Sequence, residues 1–215
     1  WDNDKATNTY TFKLKDNVKW HDGKAFSAED VKFTLETIMD PKNDSEIASN
    51  YEDIEEIEVE DKNTIKIRLK APNVAMLDYL TIGILPKHLL EGKDIATDEF
   101  NQFPIGTGPF KMEGWDKGQS ITLAKNKDFY DKEAEIDKII FKVVEDTKAR
   151  ALQLKSGELD LAQVTPHDVE QFKNNKDFVV YDIKTSDYRG IMYNFNSPIF
   201  KNNKRSEEHR LNSSH

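Results

Sequence analysis

Strand-like and helix-like hydrophobic patterns alternate along this chain, and that alternation is the feature that most restricts its fold. In residues 9–15 the apolar side chains occupy every second position, which is the period of a half-buried strand. Ser27 then precedes a segment with apolar residues at helical spacing and is predicted to cap it, with Asp30 three residues on; Asp40-Pro41 ends that segment. Because the same succession continues for most of the chain, the sequence predicts a mixed α/β fold.

Turn residues divide the remaining sequence into short elements. Two hairpins are predicted, one with strands 54–59 and 64–69 and the other with strands 110–115 and 120–124. Helical spacing or a proline at the first helical position predicts helices at 74–80, 86–92, 146–155 and 166–174. Apolar runs predict further strands at 136–144, 159–164, 179–183 and 190–195.

The charge of the chain excludes several classes of partner. The formal net charge is -9 and the isoelectric point is about 5.1, whereas nucleic acids and anionic lipids attract basic surfaces.

The sequence has no cysteine, which excludes disulfides, zinc–thiolate sites and cysteine nucleophiles. No apolar run approaches the ~20 residues that span a membrane.

Catalytic and metal-binding motifs are weak in this sequence. The glycine-rich segment 106–109 matches neither the dinucleotide-binding fingerprint nor the phosphate-binding P-loop. We interpret it as a tight turn. His21, His88 and His167 are far apart in sequence, and His21 is predicted to belong to the turn at 20–23, where Asp22-Gly23 follows it. The acids of 52–61 alternate with Ile and Val, which is typical of a solvated strand face. We therefore expect no cofactor, no metal and no enzymatic activity; a hydrolase with an unrecognised carboxylate pair is the alternative from another class.

Aromatic and hydrogen-bonding residues are concentrated at 188–196, where the sequence reads YRGIMYNFN. Aromatic rings and amides at the end of a strand suit recognition of a peptide or a sugar. An ordinary strand with two core aromatics explains the same residues equally well, so the residues alone leave both readings open.

Two changes in composition and apolar periodicity suggest boundaries within the chain. Residues 93–103 are mixed and polar and are followed by Pro104 and Gly106, so we expect two segments to meet there. Residues 205–215, RSEEHRLNSSH, lose all apolar periodicity and resemble translated vector sequence. We expect this tail to pack on nothing.

Several motifs occur along the chain in a recognisable order. The first is YTFKLKDNVKWHDGKAFSAEDVKFTLETIMDP at 10–41, and ILPKHLLEG follows at 84–92. PIGTGPFKMEGWDKGQSITLAKNKDFY at 104–130, LKSGELDLA at 154–162 and YNFNSPIFKNNK at 193–204 complete the series. In this order the motifs resemble the family 5 extracellular solute-binding proteins, which serve importers of oligopeptides, dipeptides and nickel, and the resemblance covers residues 10–204.

The resemblance implies a periplasmic-binding-protein-like fold of two lobes with an extra domain, present here in part. By this reading residues 1–102 are most of the extra domain, residues 103–204 belong to the first ligand-binding lobe, and both natural ends lie outside this sequence. The second lobe, which typically supplies an acid for the amino end of the peptide, would be missing.

The resemblance also implies a function. A monomer would capture peptides outside the cytoplasmic membrane, in the periplasm or as a surface lipoprotein, and deliver them to the permease subunits of an ABC transporter. Tyr188, Arg189 and Asn194 are the predicted ligand contacts of the first lobe, and Tyr51 is predicted at the edge of the cleft. Binding of a nickel chelate or a sugar is the alternative within the family.

Overall fold

Two antiparallel sheets organise the first part of the chain. The computed structural model describes residues 1–184. The first compact unit is Trp1–Asp146, and a second unit begins at Thr147. The described elements are helices and antiparallel strands in alternation, as expected for a mixed α/β chain.

The first sheet has the strand order β1-β2-β4-β3, and all its neighbours are antiparallel. Its strands are β1 Asp2–Asp4, β2 Thr9–Lys13, β3 Ile54–Asp61 and β4 Thr64–Leu69. The hairpin predicted at 54–69 is confirmed by the β3–β4 pairing. The short strand β1 carries no apolar alternation, so the sequence did not predict it.

Helix α1 spans Ala28–Met39 and covers the first sheet. Ser27 is its N-cap residue, and the Ser27 backbone N–H donates to the Asp30 carboxylate at 2.9 Å. This bond satisfies one donor that the helix itself cannot use. The apolar side of α1 contributes Leu35, which is 1% exposed, to a core shared with Tyr10, Ile67 and others of the sheet.

Two one-turn helices follow the first sheet. Helix α2 spans Met76–Tyr79 and α3 spans Lys87–Leu90, and both are shorter than the segments predicted at 74–80 and 86–92. Residues 74, 75, 80, 91 and 92 form turns instead, and Pro86 precedes α3 without regular structure. Single 3-10 turns lie at Pro41–Asn43, Ala48–Tyr51 and Glu99–Asn101.

The second sheet has the order β5-β6-β7 and is also antiparallel. Its strands are β5 Phe110–Asp116, β6 Ser120–Lys125 and β7 Lys138–Lys142. The hairpin predicted at 110–124 is confirmed, and the strand predicted at 136–144 is confirmed over its central residues. Gly118 closes the β5–β6 turn with φ 77°, a conformation that side chains disfavour.

In the second unit, helix α4 spans Thr147–Ser156 and agrees with the prediction for 146–155. Gly157 follows it with φ 79°, the left-handed position that commonly ends a helix. Helix α5 spans only Glu170–Lys173, so the prediction of a helix over 166–174 was too long. The predictions of strands at 159–164 and 179–183 were wrong, because neither segment has a described neighbour with which to form a ladder.

Several predictions fall outside the described residues. These are the strand at 190–195, the candidate ligand contacts Tyr188, Arg189 and Asn194, and the tail at 205–215. The boundary predicted at 93–103 lies within the first compact unit and stays a prediction. No helix in residues 1–184 combines the length and apolar character needed to cross a membrane.

Candidate functional site

An open groove of about 620 Å³ lies beside the C-terminal end of α1. Its walls come from the end of that helix, from the 3-10 turns after it and from the neighbouring strands. The lining residues are Met39, Asp40, Pro41, Asp44, Ser45, Ala48, Tyr51, Glu52, Ile54 and Lys70. Apolar side chains and carboxylates therefore lie side by side along this groove.

Tyr51 is the one predicted site residue within the described part of the chain. Its side chain lines the groove, yet the residue is only 1% exposed. The Tyr51 hydroxyl donates to the backbone carbonyl of Tyr79 at 2.5 Å. Burial raises the pKa of the Tyr51 phenol above its ordinary value, so the group is a neutral donor over the physiological range. In this structure its hydroxyl joins the 3-10 turn to α2.

The polar groups of the groove are partly engaged with backbone. The Asp40 carboxylate accepts a hydrogen bond from the Lys42 N–H at 3.0 Å, and Lys70 Nζ donates to the Glu52 carbonyl at 2.6 Å. Asp44 has a positive φ of 44°. The groove could offer carboxylate oxygens and apolar contact to a ligand, which is chemistry for binding.

A second constellation surrounds the turn at 20–23, Trp-His-Asp-Gly. The His21 N–H donates to the Gly106 carbonyl at 2.9 Å, and the Gly106 N–H donates back to His21 Nδ1 at 3.1 Å. His21 Nε2 lies 3.1 Å from the Gly108 carbonyl oxygen. Lys111 Nζ donates to the His21 carbonyl at 3.2 Å. His21 thus attaches its turn to residues 106–111, more than eighty positions later in the chain.

These bonds define the protonation state of His21. Because Nδ1 accepts from the Gly106 N–H, the imidazole proton must be on Nε2, which donates it to Gly108. Burial lowers the pKa of His21; the hydrogen bond to Gly108 opposes that shift, and the positive charge of Lys111 adds to it. Both geometry and environment keep the ring neutral.

Asp22 and His88 form the other half of this constellation. His88 Nε2 lies 2.7 Å from Asp22 Oδ2, which connects the turn to α3. Burial tends to raise the pKa of Asp22, but hydrogen bonds from the Lys24 N–H and from His88 outweigh it and hold the pKa below its ordinary value. Among residues 1–184, no three His, Cys, Asp or Glu side chains are grouped as a metal ion would require. His21 and His88 therefore have structural partners.

A buried polar link also joins α1 to the segment before α3. Thr34 is 1% exposed; its hydroxyl donates to the Asp30 carbonyl at 2.8 Å and accepts from the Leu85 N–H at 2.8 Å. The Asp30 carboxylate accepts from the Lys87 N–H at 3.0 Å. Sequence reasoning recognised Asp30 as part of a helix start but missed its role toward α3, because that partner lies 57 positions away.

A scan of known families matches residues 1–205 to the family described as bacterial extracellular solute-binding proteins, family 5 Middle. Among curated proteins, a putative ABC transporter peptide-binding protein of Brucella ovis is 34% identical over 198 residues, which is 90% of this chain. The oligopeptide-binding protein AppA of Bacillus subtilis is 34% identical over 204 residues, or 91% of this chain. The matched span is 37% of the length of either relative.

Solved structures lead to the same family. The crystal structure of NikZ from Campylobacter jejuni in complex with Ni(L-His) is 40% identical, with a TM-score of 0.88, and the match covers 94% of this chain and 41% of NikZ. The structure of Bacillus subtilis AppA in complex with a nonapeptide is 32% identical, with a TM-score of 0.69, over 74% of this chain and 32% of that one. The partial periplasmic-binding-protein fold expected from the sequence is confirmed. The chain belongs to the family 5 bacterial extracellular solute-binding proteins.

Proposed function

We propose that this chain is part of the substrate-binding component of an ABC importer, which captures peptides outside the cytoplasmic membrane and delivers them to the permease. The observation that carries the proposal is the match to a solute-binding family over residues 1–205, together with relatives named as peptide-binding proteins. The protein acts as a monomer that binds and releases its ligand without changing it, and it needs no cofactor.

Binding in this proposal is non-covalent and depends on enclosure. An extended peptide loses its hydration when two lobes close over it, and protein groups replace the water hydrogen bonds of its backbone. Closure also gives the permease a surface that differs from that of the empty protein. The chain contributes one part of the walls, since the matched span is 37% of each curated relative.

Ligand contacts from this chain are proposed at the residues that the sequence suggested. Arg189 pairs with a carboxylate, because a guanidinium offers two parallel donors. Asn194 bonds a peptide amide, and Tyr188 supplies aromatic contact. Tyr51 is proposed at the edge of the cleft, and its place in the lining of the groove beside α1 supports that role.

Ligand identity is tested with the protein extended to the length of its relatives. Native mass spectrometry of the purified protein should reveal co-purified peptides, and isothermal titration with a peptide pool should give micromolar or tighter binding. Recovery of the peptides intact after prolonged incubation is expected. Shortened peptides would instead support a hydrolase, and an absence of peptide binding would contradict the proposal.

A nickel chelate is the second candidate, favoured by the 40% identity to NikZ over 94% of this chain. The two candidates separate in a competition experiment. Ni(L-His) is added to the peptide-loaded protein, and free peptide is measured. We expect the peptide to stay bound; displacement by Ni(L-His), but not by histidine alone, would identify the chelate as the ligand.

The role of Arg189 is tested by Arg189→Ala in the same full-length protein. Loss of a charged hydrogen-bond partner costs about 1.5–3 kcal/mol, which is roughly a 10- to 150-fold loss of affinity. Lys142→Ala, at an exposed lysine of β7, is the matched control and should leave affinity unchanged. Equal affinity for wild type and Arg189→Ala would remove Arg189 from the site.

Tyr51→Phe separates ligand binding from packing at Tyr51. The variant keeps the ring and removes only the hydroxyl, which in this structure donates to the Tyr79 carbonyl. A role at the cleft edge predicts weaker peptide binding at a temperature where both proteins are fully folded. A lower melting temperature with unchanged affinity would confine Tyr51 to the core.

A further inference from the structure

We propose that His21 is an acid-sensitive latch that holds the 104–109 turn, and the β5-β6-β7 sheet that follows it, against the first hundred residues. The latch is closed when the imidazole is neutral and opens when the ring gains a second proton. This is a conformational property of the fold and does not depend on which ligand the protein binds.

The geometry of the latch requires one tautomer. His21 Nδ1 accepts from the Gly106 N–H at 3.1 Å, and Nε2 donates to the Gly108 carbonyl at 3.1 Å. A second proton must be placed on Nδ1, where it points at the Gly106 N–H. Two donors then face each other, and the Gly106 amide is left without an acceptor in a partly buried position.

Within residues 1–184, few other polar contacts join the 104–109 turn and its sheet to the first hundred residues. The Gly106 carbonyl also accepts from the His21 backbone N–H, but that bond depends on the same residue staying in place. Further along, Asn17 Nδ2 donates to the Tyr130 carbonyl at 3.4 Å, and Lys15 lies 3.6 Å from Asp131. The Lys15–Asp131 pair is well exposed, so solvent screens it and it contributes little.

The charges around His21 act on it from two sides. Lys111 of β5, whose Nζ donates to the His21 backbone carbonyl, disfavours a second positive charge on the ring, while Asp22 on the same turn favours it. Behind these, Asp128 lies 3.8 Å from Lys111 and His88 of α3 lies 2.7 Å from Asp22. The 104–109 turn carries no titratable side chain. Burial is the largest influence and lowers the pKa of His21.

The direction of the pH effect follows from that lowered pKa. An unfolded or detached His21 has an ordinary pKa of about 6.5 and takes up a proton more readily than the buried ring does. The stabilisation from the neutral latch is therefore complete above about pH 6.5 and is lost as the pH falls from there toward the lower pKa of the latched ring.

Amide hydrogen exchange measured by NMR on the 215-residue chain tests the latch directly. The protection of the Gly106 N–H, corrected for intrinsic exchange, should fall between pH 7.5 and pH 5.5, by at most about tenfold, because the lower pH is one unit below the ordinary histidine pKa of the detached ring. The Lys125 N–H, which donates to the Asp137 carbonyl at 2.8 Å within the second sheet, is the reference and should change little.

Two variants identify the titrating group. His21→Gln cannot gain a charge, so its Gly106 protection should be independent of pH over this range. His88→Gln removes the other histidine near Asp22 and should retain the full dependence. If His88→Gln abolished the pH dependence of Gly106 protection while His21→Gln preserved it, the titrating group would be His88 and the proposal would be wrong.

A measurement on the unmodified chain tests the proposal even if the His21→Gln variant does not fold. Imidazole nitrogen shifts should show Nε2 protonated and Nδ1 unprotonated at pH 7.5. Protonation of Nδ1 at that pH, or a Gly106 amide equally protected at pH 7.5 and pH 5.5, would overturn the proposal.

Discussion

Thr34 shows how a single buried hydroxyl can connect distant segments. It donates to the Asp30 carbonyl one turn earlier in α1 and accepts from the Leu85 N–H of the segment that leads into α3. The side chain is nearly inaccessible to water, so no solvent molecule can replace it when it is removed. The two hydrogen bonds of this one hydroxyl should therefore contribute measurably to the free energy of unfolding.

Thr34→Val should lower the free energy of unfolding by about 1–3 kcal/mol, because valine has the same shape but leaves the Leu85 N–H without an acceptor. Denaturant unfolding monitored by tryptophan fluorescence measures the change. Thr97→Val is the matched control: Thr97 is exposed, and the same substitution there should change stability by less than about 0.5 kcal/mol. Equal effects at the two positions would contradict this assignment.

Residue-level predictions from sequence succeeded where partners are close in the chain. Ser27 and Asp30 are three positions apart, so their helix-capping relation was visible. His21 was predicted as part of a turn, which is confirmed, but its bonds to Gly106 and Gly108 were not foreseen. No local pattern encodes a contact across 85 positions, and a histidine in a turn has many possible partners.

At the scale of elements, the β5–β6 hairpin depends on a glycine at its turn. Gly118 has φ 77°, and nothing lies within 4 Å of the position where a Cβ would be added. A substitution there meets no steric clash with other residues, so its cost is confined to the backbone conformation. The site therefore isolates conformational strain from packing.

Gly118→Ala should destabilise the chain by about 1–2 kcal/mol, since alanine disfavours the left-handed conformation. Gly83→Ala provides the control, because Gly83 has no positive φ and also has open space at its Cβ position. There the change should be neutral or stabilising by up to about 1 kcal/mol, through lower entropy of the unfolded chain. Thermal unfolding followed by circular dichroism compares the two variants. A similar loss of stability in Gly118→Ala and Gly83→Ala would exclude backbone strain at Gly118 as the cause.

Element prediction was accurate for hairpins and for helices with a clear end. Strand β3 pairs with β4 and β5 pairs with β6, each across a short turn, and the turn residues predict both hairpins. The strands expected at 159–164 and 179–183 failed because an apolar run indicates only that a segment can pair, whereas the partner decides whether it does. Likewise α5 formed only part of its predicted length, since short helices rely on tertiary packing.

At the scale of the whole molecule, the predicted boundary at 93–103 can be tested by limited proteolysis. Lys93 is exposed and lies in a segment of turns, so trypsin should make its first cut there, apart from cuts in the 205–215 tail. Mass spectrometry of the earliest products identifies the site. A first cut at Lys142 or Lys148 would favour the division after Asp146 that separates the two compact units.

Residues 1–204 alone should bind peptide more weakly than micromolar. A pocket usually buries ~70–90% of a compact ligand, and the matched span is only 37% of each curated relative, so most of the enclosing walls would be absent. The bonds that remain must also offset ~4–15 kcal/mol of lost translational and rotational freedom. Isothermal titration with a peptide pool measures this. Micromolar or tighter binding would show that these residues suffice for recognition.

The acidic strand β3 has a consequence for crowded solutions. Among the described residues it forms an outer edge of its sheet, paired with β4 on one side only. A bare strand edge is a template for joining sheets of separate molecules into fibrils. The exposed glutamates of β3 are at positions 55, 56, 58 and 60, and on β4 Arg68 pairs with Glu55 and Glu56 while Lys66 pairs with Glu60. Four carboxylates against two cations leave a net negative charge, which would repel a second edge of the same kind. The acids therefore guard the protein against aggregation where its concentration is high.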